Sequence, residues 1–432
     1  MSHEDARAYV EGLERLGMRF GLDRVRALAH ALGDPQLAYR TIHVVGTNGK
    51  TSTTRFIAAL LRERGLRVGA YVSPHLVTLA ERQLINNEPS SEEDFFSCVE
   101  RVRPVAERVN AGFAPGERLT QFEVLTAAAF LYFKEQGCDV AVVEAGLGGR
   151  WDATSIIASD VQVVTSTGLE HMELLGETTL AILEEKAAVI PPGGIAVAGT
   201  LDRSVRSRLG EICAGRGASL LVLGEDLSLL EDPREPVFDL YTPWSLYTNL
   251  RLTVLGHYQR GNAAVAIGAA EAFVGGPLDC AHVRSALRAV RVPGRLEVIS
   301  DRPLCILDGA HNPAGMAEMV RSLDYLLDRR RVLGVVSILR DKGALEMLKS
   351  LSPRCDILFV TQNSNARSYP ADELADLAEG LENKPKVFLD ADPRSALRSA
   401  YKLATSNQVV LVTGSLYLVA DIKRSLENHQ RS

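Results

Sequence analysis

Residues 41–55 read Thr-Ile-His-Val-Val-Gly-Thr-Asn-Gly-Lys-Thr-Ser-Thr-Thr-Arg, an apolar run that enters a glycine loop and leaves through a helical pattern. Gly46 and Gly49 can take backbone angles closed to other residues, so several N–H groups can converge on one anion where a helix N-terminus already favours negative charge. Gly46, Thr47, Asn48, Gly49, Lys50, Thr51 and Ser52 therefore read as a phosphate-binding loop for a nucleotide. Lys50 would reach the terminal phosphates, and the Thr51 hydroxyl is placed to meet Mg²⁺. The usual signature carries a further glycine where this chain has Val44, so the loop is a shortened variant. A strand, a glycine turn and a helix also join with no ligand at all; the lysine beside hydroxyls directly after the strand favours the nucleotide.

Outward from the loop, Phe56, Ile57, Leu60 and Leu61 mark one helix face, and residues 67–72 form the next strand. Buried strands expected at 140–143, 161–166 and 195–198 are separated by helical segments such as 123–135 and 178–188, which predicts a mostly parallel sheet covered by helices. Before the loop, Val10, Leu13, Leu16, Val25 and Leu28 predict two short helices. Residues 220–255, with Tyr241, Thr242, Trp244, Tyr247 and Thr248, switch to short alternating pieces and predict a small antiparallel sheet. Helices over 262–274 and 281–290 close this half. Arg291-Val292-Pro293-Gly294-Arg295 then breaks the pattern, and strands at 303–307, 332–336, 356–360, 386–389 and 408–412 begin a second α/β unit. The expected organisation is an α/β fold: a P-loop ATPase domain over 1–290, a linker over 291–297 and a second domain over 298–432, with 427–432 fraying.

A chain of 432 residues, 46% hydrophobic, is long enough for about two or three domains. Its net charge of −6, without a dense Lys/Arg block, leaves no electrostatic footprint for nucleic acid. No stretch approaches the roughly 20 apolar residues that span a bilayer, and the first residues are polar, so a soluble, cytoplasmic protein without a membrane partner is expected. The six cysteines lie far apart with no Cys-x-x-Cys pair and read as reduced, mostly buried thiols.

Glu144 ends the strand at 140–143 and precedes Ala145-Gly146-Leu147-Gly148-Gly149-Arg150. A carboxylate there can hold Mg²⁺; it can equally cap a turn or pair with Arg150. Ser73, before Pro74 and His75 at another strand end, can add a hard oxygen or simply start a turn. His171 follows the 161–166 strand, where imidazole can share a metal with a carboxylate or be a satisfied polar residue. Lys186, in Glu184-Glu185-Lys186-Ala187-Ala188, reads on its own as part of a solvated helix face. In the second unit, Asp308-Gly309-Ala310-His311-Asn312-Pro313 follows a strand directly and suggests a substrate or nucleotide contact, and Arg295 is either a phosphate clamp or a surface arginine.

Taken together these segments resemble the folylpolyglutamate synthases of the Mur ligase superfamily, many of which also act as dihydrofolate synthases. The resemblance rests on residues 42–50, Ser73-Pro74-His75-Leu76 with Glu81-Arg82, residues 144–150 with Asp152-Ala153-Thr154, and Gly168-Leu169-Glu170-His171. It continues through Glu185-Lys186-Ala187, Gln259 with Asn262-Ala263-Ala264, Pro293-Gly294-Arg295, residues 308–313 and Thr413-Gly414-Ser415-Leu416-Tyr417. It implies an ATP- and Mg²⁺-dependent amide ligase, monomeric, with a Rossmann-like C-terminal glutamate ligase domain and the active site in the cleft between the domains. Its implied Mg²⁺ ligands are Ser73, Glu144 and His171, and its implied ATP contacts are Asn262, Arg295 and Asp308. Lys186 corresponds to a lysine that is typically carbamylated, which takes it off a solvated face, and His311 to a residue near the phosphate and incoming amine. For the folate or dihydropteroate substrate the resemblance points to Phe20, Gly21, Leu22, Arg82, Thr120, Gln121, Phe122, Glu123 and Asp152. Two departures stand out: Thr51 where many members have glycine, and Trp151 where leucine is common.

The chemistry implied is transfer of the ATP γ-phosphoryl group to a pteroate or glutamate carboxylate, giving an acyl phosphate that the amine of L-glutamate attacks. The competing readings are a Mur-type ligase acting on a UDP-linked muramoyl peptide, and a non-catalytic nucleotide switch. Only 45 residues precede Gly46, short for an added uridine-nucleotide domain, and a switch has no need of the 308–313 segment.

Overall fold

The computed structural model describes residues 3–14, 17, 19–114, 116–232, 235–327, 330–382 and 385–430; Leu16 and residues 431–432 lie outside them. Helices His3–Glu14 and Asp23–Ala31 precede β1 (Arg40–Val45). Past it come β2 (Val68–Tyr71), β3 (Gln83–Ile85), β4 (Glu88–Pro89), β5 (Val140–Glu144), β6 (Val161–Val164), β7 (Ile195–Ala198) and β8 (Ser219–Val222). They form one sheet in the order β4-β3-β2-β5-β1-β6-β7-β8. From β2 to β8 across the sheet all neighbours run parallel, and β3 and β4 add an antiparallel hairpin at one edge. The runs Val-Ala-Val-Val-Glu in β5 and Val-Gln-Val-Val in β6 are buried throughout, as a sheet covered on both faces requires. One face packs on Phe95, Val99, Phe130 and Phe133 of helices Glu92–Ala111 and Gln121–Glu135; the other packs on Leu183, Val205 and Leu209. The register sets Val44 opposite Glu144 and Val45 opposite Val164, so three strand ends line up.

The structure departs from expectation in three places. Residues 219–222 form a parallel strand of the main sheet, so the small antiparallel sheet begins only at β9 (Ser228–Glu231) and continues with β10 (Val237–Tyr241) and β11 (Leu246–Arg251). The β3–β4 hairpin turns through Asn86 and Asn87 with φ of 53° and 70°, a left-handed pair more often supplied by Asn-Gly. Glu297 already opens a strand, β12 (Glu297–Asp301), antiparallel to β13 (Leu304–Leu307).

The chain divides into two compact units, Met1–Leu252 with Gly261–Val290, and Thr253–Arg260 with Arg291–Ser432. The second unit has β14 (Arg331–Val336), β15 (Cys355–Val360), β16 (Lys386–Leu389) and β17 (Gln408–Thr413) in the order β12-β13-β17-β14-β15-β16, parallel except at β12. All six cysteines are free thiols and only Cys280 is not buried. Among the described residues no helix is long and apolar enough to cross a membrane.

In the first unit a buried acid ties the small sheet to helix Tyr258–Val274. Glu271 Oε1 accepts from Tyr247 Oη at 2.6 Å and from Thr242 Oγ1 at 3.1 Å, while Oε2 has no hydrogen-bond partner. Burial raises its pKa from 4.5 to about 7, opposed by the two hydroxyls. Because the folded value lies above the unfolded one, the stability contributed by the protonated acid is complete below about pH 4.5 and is lost as pH rises through about 7. Glu271→Gln, which keeps the acceptor, is expected to flatten the decline in Tm between about pH 6 and pH 8 seen by differential scanning calorimetry of the wild type; an unchanged slope would refute this.

Candidate active site

The loop after β1 is shaped by hydroxyls at the end of β6. The Asn48 carbonyl accepts from Thr165 Oγ1 at 2.7 Å and Ser166 Oγ at 3.0 Å, and Asn48 N donates back to Ser166 Oγ at 2.9 Å. Thr47 N donates to the Ser166 carbonyl at 2.9 Å, and the Thr47 hydroxyl exchanges hydrogen bonds with Gly168. Gly46 has φ of +150° and Gly49 of +87°; a Cβ on Gly46 would collide with the Thr165 side chain, and one on Gly49 would sit 2.6 Å from Asn262 Oδ1. The Asn262 amide therefore lies against the loop. Helix Lys50–Glu63 begins immediately, which gives the loop the positive end of a helix. Lys50 Nζ rests on the Gly46 and Thr47 carbonyls at 2.9 and 3.2 Å, and Ser52 is buried behind it.

Glu144, 1% exposed, accepts from Thr51 Oγ1 at 2.9 Å on both carboxylate oxygens and from Ser73 N at 3.3 Å. Arg150 bonds Glu185 instead, at 2.8 Å, so the pairing of Arg150 with Glu144 left open by the sequence is not formed. One buried carboxylate beside two hydroxyl residues at the mouth of a phosphate loop is a hard-oxygen donor set of the kind Mg²⁺ takes with phosphate oxygens and water. The residues present fit the ion. His171 is exposed, has a left-handed φ of 45° and starts the short helix Met172–Leu175. Among the described residues no three His, Cys, Asp or Glu side chains make a metal cluster by themselves.

Lys186 is 1% exposed, which removes the solvated-face reading, and its Nζ lies 2.6 Å from Glu170 Oε1. Burial lowers the Lys186 amine to about 8 against the opposing pull of Glu170, and nearby Lys50 lowers it further. Burial would raise Glu170, yet the charges of Lys186 and Lys50 hold it down at about 2. Glu170 was not foreseen as this partner, although its place beside His171 was a signal.

The remaining first-unit candidates divide by what they already do. Thr120 and Glu123 form a capping box at the start of helix Gln121–Glu135, and Glu123 also takes Arg24 Nε at 3.1 Å in a buried ion pair. Gln121 Nε2 donates to the Val10 carbonyl at 3.0 Å, and Arg82 Nε donates to His75 Nδ1 at 3.1 Å. Phe20 is 49% exposed, Gly21 has φ of +111°, and Leu22 packs with Val25 and Ala153. Phe122 and Asp152 flank Gly146, where an added Cβ would lie 2.7 Å from the Phe122 ring and 3.2 Å from Asp152 Oδ2. Burial raises the Asp152 carboxyl, and hydrogen bonds from Thr154, Leu147 and Gly146 pull it back. Trp151, next to it, is half-exposed.

In the second unit, Asp308 is 2% exposed and accepts from Leu296 N at 2.9 Å and Ala310 N at 2.8 Å. Burial raises its carboxyl, and Arg295 opposes the rise. His311 Nδ1–H donates to the Gly309 carbonyl at 2.8 Å, a tautomer that leaves Nε2 the acceptor nitrogen. Asn312 caps helix Pro313–Leu326 through Gly315 N at 2.7 Å.

A phosphate loop with an adjoining hard-oxygen site, followed by a second parallel α/β unit, defines a Mur-type ATP-dependent ligase. The family model for the Mur ligase middle domain matches residues 44–270, and that for the Mur ligase glutamate ligase domain matches residues 294–416. The chain is 33% identical over 435 residues to the dihydrofolate synthase/folylpolyglutamate synthase of Bacillus subtilis, covering 99% of each, and 33% identical to the folylpolyglutamate synthase of Lacticaseibacillus casei with the same coverage. The solved structure of Mycobacterium tuberculosis folylpolyglutamate synthase complexed with ADP superposes with a TM-score of 0.92 at 32% identity, over 98% of this chain and 99% of that one. The chain belongs to the folylpolyglutamate synthase/dihydrofolate synthase family. This membership decides against the muramoyl-peptide ligase and the nucleotide switch.

Gly49→Ala forces a left-handed backbone on alanine and drives its methyl into Asn262. ADP affinity by isothermal titration calorimetry is expected to fall by about tenfold or more. Wild-type affinity in the variant would show that the loop does not hold the nucleotide.

Proposed function

We propose that this protein uses ATP to join L-glutamate to the carboxylate of a folate, and also to dihydropteroate, through an acyl phosphate. The observation that carries the reading is the Gly46–Ser52 loop with Glu144 held 2.9 Å from Thr51 at its mouth, in a chain whose relatives are folate-glutamate ligases over their full length. The first unit is the ATPase domain, and the second unit, which holds Arg291–Ser432, is the glutamate ligase domain. A carboxylate is a poor electrophile. Its oxygen attacks the γ-phosphorus of ATP, ADP leaves, and the acyl carbon becomes reactive. The loop amides and Lys50 stabilise charge on the transferring phosphoryl group as it develops. Ser73, Glu144 and His171, with Thr51 as a further ligand, would hold Mg²⁺, which would supply charge neutralisation on the phosphates. Asn262, Arg295 and Asp308 bind the nucleotide. The glutamate amine then attacks the acyl carbon, phosphate leaves, and the proton lost by the amine passes to His311 Nε2 or to water.

The pteridine part of the substrate lies against Phe122, with Asp152 accepting from its N–H groups, and Phe20, Gly21, Leu22, Arg82, Thr120, Gln121 and Glu123 shape the surrounding wall. The enzyme works as a monomer in the cytoplasm. ADP release that requires both L-glutamate and either a reduced folate or dihydropteroate, with mass spectrometry of the conjugate, tests the reading; turnover indifferent to both acceptors would overturn it.

Lys186 is proposed to act as its carbamate, an anion formed when the neutral amine adds CO₂ and releases a proton to water. An amine with a pKa of about 8 leaves roughly a tenth of its population neutral at pH 7, enough to react. Labelling with ¹³C-bicarbonate is expected to give a carbamate resonance that Lys186→Arg lacks; an active wild type without the resonance refutes the modification.

A further inference from the structure

Three buried side chains of the first unit form a directed hydrogen-bond chain that the ligase chemistry leaves unexplained. His43, 1% exposed in the middle of β1, places Nε2 2.8 Å from Thr154 Oγ1, and Thr154, fully buried, places the same oxygen 2.5 Å from Asp152 Oδ1. A hydroxyl has one proton to give. Asp152 as a carboxylate only accepts, so the Thr154 proton goes to Oδ1, and His43 must donate Nε2–H to the Thr154 oxygen. Burial lowers the His43 imidazole to about 3, so it is neutral and its single N–H is committed to this direction. Asp152 receives further bonds from the backbone, among them Thr154 N to Oδ1 at 3.0 Å and Leu147 N to Oδ2 at 2.9 Å.

The arrangement does more than satisfy buried polar groups. Every donor in it points the same way, and the chain ends on a carboxyl whose pKa burial raises and its hydrogen bonds pull back. Each donor favours the charged form and fixes the rotamer. The Asp152 carboxylate and the Phe122 ring both lie beside Gly146, so a flat heterocycle resting on that ring has an oriented acceptor within reach.

We infer that His43 and Thr154 are positioning residues for substrate selection, holding Asp152 as an ionised, oriented acceptor for the adjacent N–H donors of a 2-amino-4-oxopyrimidine ring. The inference rests on the proposed function and names a determinant of it inside the sheet, remote from the phosphates. A neutral or misoriented Asp152 would lose the paired acceptor geometry for that ring edge and leave ATP and glutamate unaffected.

The test compares wild type, Thr154→Val, Thr154→Ser and His43→Leu, each checked for an intact fold by its Tm. Thr154→Val keeps the shape and backbone N–H but removes the relaying hydroxyl; it is expected to raise KM for the pteridine acid about tenfold, the loss of one hydrogen bond to a charged group, with KM for ATP and L-glutamate unchanged. Thr154→Ser is expected to restore wild-type KM, and His43→Leu to resemble Thr154→Val. ¹⁵N NMR of labelled histidine is expected to show His43 as the neutral Nε2–H tautomer in wild type. Unchanged KM for the pteridine acid in a folded Thr154→Val or His43→Leu enzyme, an equal rise in all three KM values, or an Nδ1–H tautomer would overturn the inference while leaving the ligase reading intact. A wild type that turns over neither pteridine acid overturns the proposed function, and the inference with it.

Discussion

The parallel ladder joining β5, β1 and β6 is the constraint on which the rest of the first unit depends. Backbone pairing of Val44 with Glu144 and of Val45 with Val164 leaves no freedom in where the three chains emerge. The glycine loop, the Glu144 carboxylate and the Thr165–Ser166 hydroxyls are therefore neighbours before any side chain makes a contact. A slip of one residue in β5 would turn Glu144 to the opposite face of the sheet and separate it from Thr51. The apolar runs that fill both faces of these strands are what forbid the slip, so packing far from the site sets the geometry within it.

The same ladder explains how two chemistries coexist in one unit. At the strand ends, Thr51 and Glu144 make a polar mouth suited to a hard cation and phosphate oxygens. Deeper in, His43 in β1 reaches Thr154 and so Asp152, which stands beside Phe122. Lys186 lies near both, its amine felt by Glu170, Lys50 and Asp152. The site thus runs from a hard-oxygen end beside the glycine loop to an end built on an aromatic ring and one carboxylate.

Much of this was legible in the sequence, for identifiable reasons. Continuous Val/Ala runs betrayed the buried parallel strands, and the glycine–lysine spacing betrayed the loop, because both signals are local. Three elements were not legible. β8, Ser-Leu-Leu-Val, is short with only Val222 buried, and only its pairing with β7 shows that it belongs to the main sheet. The Asn86–Asn87 turn lacks the glycine that usually marks such a hairpin. The burial of Lys186 arises from Glu170 across a loop, a tertiary pairing that a helix-face pattern cannot report. Thr120 and Glu123 carry a structural role the sequence pattern also signals, a Thr-x-x-Glu capping box, and Glu123 further pairs with Arg24.

The hairpin at the sheet edge has a consequence of another kind. Beyond it lies β2, a fully buried strand reading Val-Gly-Ala-Tyr, whose bare edge would be a ready template for a strand from another molecule. β3 occupies that edge, and β4 finishes it with two residues, Glu88 and Pro89, one charged and one lacking an N–H. The side chains of the turn secure the hairpin: Asn86 Oδ1 accepts from Val68 N at 3.0 Å, and Asn87 Nδ2 donates to the Arg55 carbonyl at 2.9 Å. The hairpin thus acts as a stopper, ending on this side a sheet that could otherwise grow by lateral addition. It closes one route to edge-to-edge association through residues that take no part in the proposed chemistry.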